Sequence, residues 1–199
     1  IYCERLEAGL LAEPVNLFTN LAFFIGAYLA TKQWQKRSNN QPMPGPVKWL
    51  IFWLYMIGTG SSLFHSFANR LTQALDVGPI CIFVVSFLII WNRLVKHRSL
   101  TNIAVQTLTL ILLLFISLRL FPADVFGGSE GYLPVAVFMI AYGLQNYRDG
   151  CRPPYILIAA AAFLISLSMR SLDMPFCEEN PVGLHFLWHS LNGVVTYLV

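Results

Sequence analysis

"WLIFWLYMIGTGSSLFHSFAN", residues 49–69, decides how the chain is read. No Asp, Glu, Lys or Arg interrupts it. At about 1.5 Å of rise per residue, such a run makes a helix of roughly 30 Å, the thickness of a bilayer's hydrocarbon core. Its second half is less plain than its first. Hydroxyls and a histidine occur where an apolar helix would simply continue, and Ser61 and His65 stand four apart, on one helix face. Ionisable groups inside a bilayer are costly and as a rule face a bundle interior. The same stretch therefore poses the question of fold and the question of function.

The rest of the chain repeats the first half of that pattern. Of 199 residues, 56% are hydrophobic and 12% charged, against roughly a quarter charged in soluble domains. Further runs free of Asp, Glu, Lys and Arg cover 15–31, 77–92, 99–118, 131–147, 153–169 and 180–199. Lipid accepts only backbones whose hydrogen bonds close internally, and no period-two alternation suggests a barrel. The expectation is all-α: a seven-transmembrane-helix bundle forming a single domain over residues 1–199. No signal peptide, internal repeat, low-complexity tract or nucleic-acid patch stands out. The net charge of +3 reflects topology, and no nucleic-acid partner is expected.

Basic residues orient the bundle. Lys32, Lys36, Arg37, Lys48, Arg93, Lys96, Arg98, Arg148 and Arg152 fall on one side, and Arg5, Arg70, Arg119 and Arg170 on the other. This bias predicts the N-terminus outside and the C-terminus inside, with every acidic residue except Asp149 outside. Pro14 suits the first turn of helix 1 and Pro79 that of helix 3, where a missing N–H costs nothing. Pro153 and Pro154 open helix 6. "SNNQPMPGP" (38–46) reads as an inner loop and "FGGSEG" (126–131) as an outer turn.

On this topology the buried polar groups gather at one level. Ser61 and His65 lie near the outer end of helix 2, Asp76 is expected in the first turn of helix 3, and "HFLWH" (185–189) puts His185 and His189 on one face of helix 7. Three histidines, two of them one turn apart, suit a catalytic zinc ion with a fourth position kept for water. Asp76 would carry protons or orient a ligand, and Ser61 would donate to a developing oxyanion. A plain interhelical hydrogen bond is the reading for any one such histidine alone. A bis-histidine haem needs axial ligands on opposite faces of a porphyrin, which two histidines one turn apart on one helix do not offer. His97, in a basic inner loop, reads as solvated.

Cys3 and Cys177 fall on the outer side, where a disulfide is chemically allowed and would tie the N-terminus against helix 7. Cys81 and Cys151 read as free. Glu4, Glu7 and Glu13 precede helix 1 and admit two readings: a solvated outer segment, or a site for a hard cation such as calcium.

"YCERLEAGLLAEPVN" (2–16), "GSSLFHSFANRLTQALD" (60–76), "LDMPFCE" (172–178) and "HFLWH" (185–189) resemble the alkaline ceramidases, seven-helix membrane hydrolases whose superfamily includes the adiponectin and progestin receptors. The short loops resemble the bacterial branch. The resemblance implies a zinc amidase that cleaves ceramide to sphingoid base and fatty acid. It implies His65, His185 and His189 as zinc ligands, Ser61 at the oxyanion, Asp76 as proton carrier and a Cys3–Cys177 disulfide. It also implies a calcium site at Glu4 and Glu13, with Tyr2 in place of a tryptophan and Ile1 where an aspartate ligand is expected. The setting implied is a bacterial inner membrane, with the active site towards the outer leaflet and a membrane lipid as substrate. Two alternatives remain open at this point: a hydrolase of another N-acyl lipid, and a non-catalytic receptor with a structural zinc.

Overall fold

The computed structural model describes residues 2–39, 41–122, 125–151 and 153–199. Ile1 and Arg152, which carried expectations above, lie outside them. All regular structure among the described residues is helical: α1 (Pro14–Thr19), α2 (Leu21–Arg37), α3 (Gly45–Phe67), α4 (Arg70–Ile90), α5 (Leu100–Leu120), α6 (Leu133–Arg148), α7 (Tyr155–Ser171) and α8 (His185–Leu198). A π-helical turn, Trp91–Val95, continues α4, and a 3-10 turn, Glu130–Tyr132, leads into α6. Four helical stretches are long and apolar enough to cross a membrane: Pro14–Arg37, Gly45–Phe67, Arg70–Val95 and Leu100–Leu120. Helices α6, α7 and α8, of 16, 17 and 14 residues, are shorter. Large apolar side chains such as Phe52, Ile89, Leu108, Leu112, Phe115 and Leu118 stand exposed. A soluble monomer rarely carries so much contiguous apolar surface, so this is a membrane protein.

The first apolar run is one helical stretch, Pro14–Arg37, with a local irregularity at Asn20, whose Nδ2 donates to Asn16 O. One expected boundary is corrected. The third helix begins seven residues earlier than the apolar run suggested. Asn69 caps it reciprocally with Thr72: the Asn69 side chain accepts from Thr72 N at 3.0 Å, and the Thr72 hydroxyl accepts from Asn69 N at 3.1 Å. Such a capping box satisfies two N–H groups that no helical carbonyl can reach. Asp76 therefore lies in the second turn of α4 and Pro79 inside the helix, not in the first turn.

That shift has a structural purpose. Ala68, in the left-handed region at φ 43°, ends α3, and Asn69 starts α4 at once, so the two helices form a tight antiparallel pair. Ser61 lies six residues before the end of α3 and Asp76 six after the start of α4, which puts both about 9 Å below the turn. Pro79 has no N–H to give Leu75 O, and this carbonyl packs directly on Gly60. A Cβ at Gly60 would come within 1.9 Å of it. Glycine is required there because any side chain would drive α3 and α4 apart.

The site end of the bundle is tied by long-range contacts. Cys3 and Cys177 form the expected disulfide, with Cα atoms 5.4 Å apart. Asp173, 1% exposed, accepts from Cys3 N at 2.9 Å, Leu184 N at 2.7 Å and His185 N at 2.9 Å. It thus holds both the N-terminal segment and the start of α8, whose first N–H groups lack helical partners. Gly183 makes this possible: its φ is +70°, and a Cβ would lie 2.2 Å from Asp173 Oδ1. One apolar cluster (Phe23, Ala27, Leu54, Ile57, Phe83) joins α2, α3 and α4. A second (Ala136, Ala159, Phe163, Leu167, Trp188, Val195) joins α6, α7 and α8. Between them lies an apolar cavity of about 110 Å³.

Candidate metal centre

Helix α3 delivers His65 and α8 delivers His185 and His189, one turn apart, and all three are at most 1% exposed. One ring nitrogen from each lies within 4.8 Å of the others, the spacing a shared metal ion requires. The hydrogen bonds around the rings identify the free nitrogens. His65 Nδ1 contacts Glu13 Oε2, while Glu13 Oε1 accepts from Arg5 Nε at 2.5 Å. An ionised carboxylate can only accept, so His65 carries its proton on Nδ1 and turns the Nε2 lone pair inward.

His189 follows the same logic. Its Nδ1 lies 3.1 Å from Thr19 Oγ1, whose own hydrogen is directed at Val15 O (2.9 Å) or Asn16 O (3.0 Å). The hydroxyl therefore accepts from His189 Nδ1, leaving Nε2 as the free lone pair. The two Nε2 atoms face each other at 3.1 Å. Two lone pairs at that distance repel unless a cation lies between or beside them. His185 Nδ1 is buried with no hydrogen-bond partner, an expensive state that a coordinate bond would relieve. The three side chains fit a metal ion.

A second layer holds these rings, as is usual for histidines that bind metals. Arg5 closes a ring of contacts by donating from Nη2 to His65 O at 2.6 Å. Burial alone would push the Glu13 carboxyl up, but the hydrogen bonds and charges of His65 and Arg5 outweigh it and hold the group below its ordinary value. Tyr2 stacks on His185 with centroids 3.4 Å apart and planes 15° apart. The Phe23 ring stands 6.3 Å from that of His189. Ser61 Oγ lies 3.5 Å from His189 Nε2, and Asp76 lies within electrostatic reach of both Ser61 and His65. The three histidines and Ser61 are thus brought together, with Asp76 within electrostatic reach.

The calcium expectation gains no support from this arrangement. Glu4 accepts from Val15 N (2.7 Å) and Asn16 N (2.9 Å), capping the start of α1, and Glu13 serves Arg5 and His65. Tyr2 directs its ring at His185, and Glu7 is exposed. The acidic segment is therefore neither solvated throughout nor gathered around one point. Sequence reasoning missed Arg5, Thr19, Asp173 and Arg170 as partners of the site. For Asp173 a signal existed, a lone acid four residues before Cys177. For Thr19 none did, since a threonine hydroxyl bonded back to the preceding turn of its own helix is ordinary.

No curated protein and no solved structure matches the chain significantly. The family model described as Ceramidase does, over residues 2–199. With the histidines, Ser61, Asp76 and the disulfide assembled at one end of a helical membrane protein, and with that match running the length of the chain, it belongs to the alkaline ceramidase family.

Proposed function

We propose that the protein is a zinc-dependent amidase of the membrane, hydrolysing the N-acyl bond of ceramide or a closely related N-acyl lipid. The observation that carries this is the pair of facing imidazole lone pairs beside the unpartnered His185 nitrogen, with a serine and a carboxylate at the same depth. A zinc ion bound there supplies a water that ionises near neutral pH and a Lewis acid for the carbonyl.

The chain's own residues supply the rest. Ser61 Oγ, 3.5 Å from His189 Nε2, is placed to donate to the oxyanion that forms on the former carbonyl oxygen. Asp76 takes up a proton from the attacking water as it adds to the carbonyl carbon. Asp76 then returns the proton to the amine as it leaves. Glu13 and Thr19 keep His65 and His189 turned inward throughout. A structural site would need neither Ser61 nor Asp76, which favours chemistry over a receptor role.

The cavity supports a lipid substrate. It begins beside Phe23 and Trp188, in the layer of the histidines, and continues along α4 and α8 to Trp91, Tyr142 and Val199. From Ile80 to Trp91 the helix advances about 16 Å. Its walls are almost wholly apolar, as an alkyl chain requires. Incubating purified protein with a panel of labelled N-acyl lipids should release fatty acid from at least one, and a chelator should stop the release. If none is cleaved, the non-catalytic reading takes its place.

The seven-crossing topology belongs to this proposal. Helices α6 to α8 complete the bundle, with the disulfide end outside and the end carrying the Lys96–Asp149 ion pair (2.6 Å) in the cytoplasm. Single cysteines at Lys36 and Glu178 test it in intact cells. An impermeant thiol reagent should label position 178 and spare position 36; the reverse pattern inverts the orientation.

A further inference from the structure

Arg170, one residue from the end of α7, was counted in the sequence only as one of the basic residues of the outer side. Its guanidinium turns inward. Its carbon centre lies 5.5 Å from the ring centroids of both Tyr132 and Trp188 and 5.8 Å from that of Tyr2. Nη1 donates to Gly127 O (3.0 Å) and Ser129 Oγ (2.9 Å), and Nη2 to Tyr2 Oη (3.2 Å). These partners are all neutral. The buried cation on the opposite side, Arg5, has Glu13 as its counter-charge. Among the described residues no carboxylate pairs with Arg170; Asp76 is within electrostatic reach but forms no ion pair with it.

Arg170 is half-buried, and an arginine drawn partly into a bundle without a counter-charge is costly; such residues mark substrate pathways. Its position says what it meets. Tyr132 and Trp188 line the apolar cavity, Trp188 precedes the ligand His189, and Tyr2 is shared between Arg170 and the His185 ring. A lipid whose tail fills the cavity and whose amide reaches the histidines therefore carries its head past the guanidinium. The planar fork of an arginine binds carboxylate or phosphate by paired hydrogen bonds.

We infer that Arg170 is the specificity-determining residue for an anionic group, carboxylate or phosphate, borne next to the amide of the lipid substrate. The preferred substrates are then acidic N-acyl lipids, with neutral ones processed less well. This rests on the amidase reading above, and the test separates the two.

Three substrates with one acyl chain, bearing a neutral, a carboxylate or a phosphate head, are compared by kcat/KM in the same neutral detergent. The parent should favour at least one anionic head by roughly tenfold to a hundredfold, the range a charge-assisted hydrogen bond gives, and the better of the two identifies the group. Arg170→Gln should bring that ratio close to one, while Arg170→Lys should keep part of it. A second measurement needs no turnover: competition for the cavity by an alkyl phosphate, an alkyl carboxylate and an alkyl alcohol of equal length. The parent should bind an anion tighter by a similar factor, and Arg170→Gln should not; an anion held by the metal alone would bind both proteins equally. A parent indifferent to the head, or an Arg170→Gln protein that keeps the full ratio, overturns the assignment. If no lipid is cleaved, the amidase reading fails and the competition alone decides Arg170. If Arg170→Gln does not fold, the parent's own ratios still decide it.

Discussion

His185→Ala should lose bound metal and amide hydrolysis together, while Ser61→Ala and Asp76→Asn should keep the metal and lose only the hydrolysis. The difference follows from what each side chain does. His185 offers a buried nitrogen with no other partner, and a three-histidine site reduced to two ligands no longer holds zinc firmly. Ser61 and Asp76 lie at the same depth but outside the three-histidine group, so removing either leaves the ligand set whole. Loss of one oxyanion donor typically slows turnover about a hundredfold to a thousandfold, and loss of general acid–base help costs roughly the same or more. Metal content by elemental analysis and rates on any cleaved lipid are the two readouts. If Ser61→Ala and Asp76→Asn both turn over at the parent rate, the assigned roles are wrong, whatever happens to His185→Ala.

The second large effect is expected at Glu13. Its carboxylate joins Arg5 to His65, and all three are withdrawn from water, with side-chain exposures of 1% for Glu13, 9% for Arg5 and 0% for His65. Glu13→Gln keeps the shape and removes the charge. His65 then loses the acceptor that holds its proton on Nδ1, and outer partners of this kind are worth about tenfold to a hundredfold in metal affinity. Arg5 is left as a buried cation without its counter-charge, a change that typically destabilises by roughly 3–5 kcal/mol. Competition with a chelator of known affinity measures the first effect and denaturant unfolding the second. Pairing Glu13→Gln with Arg5→Gln should recover part of the stability but none of the metal affinity, because only the unpaired charge is repaired. Metal binding as tight in Glu13→Gln as in the parent would return Glu13 to a purely structural role.

These residues divide clearly by what a linear sequence can carry. Apolar run lengths, the pair of histidines one turn apart on α8 and the Ser61–His65 spacing on α3 are local properties. They follow from the rise and twist of a helix, so the membrane class, the all-helical fold and the three histidines able to hold a metal were legible in order along the chain. The start of α4 was less so. An apolar count begins at the first greasy residue, whereas a helix begins where its first N–H groups find acceptors, and the Asn69–Thr72 box supplies these seven residues earlier.

What the chain order could not contain is which polar groups meet across helices. Glu13 read as an acid of a cation site or of a solvated segment, yet folding brings it to His65, fifty-two residues away. Thr19 meets His189 across 170 positions, and Arg170 meets Tyr2 across 168. Sequence by itself determined the elements, their membrane setting and the side chains able to bind a metal, because each depends on near neighbours. Tertiary structure alone decided that Glu13 holds His65, that Thr19 holds His189 and that Arg170 lacks a counter-charge, because hydrogen bonds reach only about 3 Å and a chain does not state which of its distant parts will come that close.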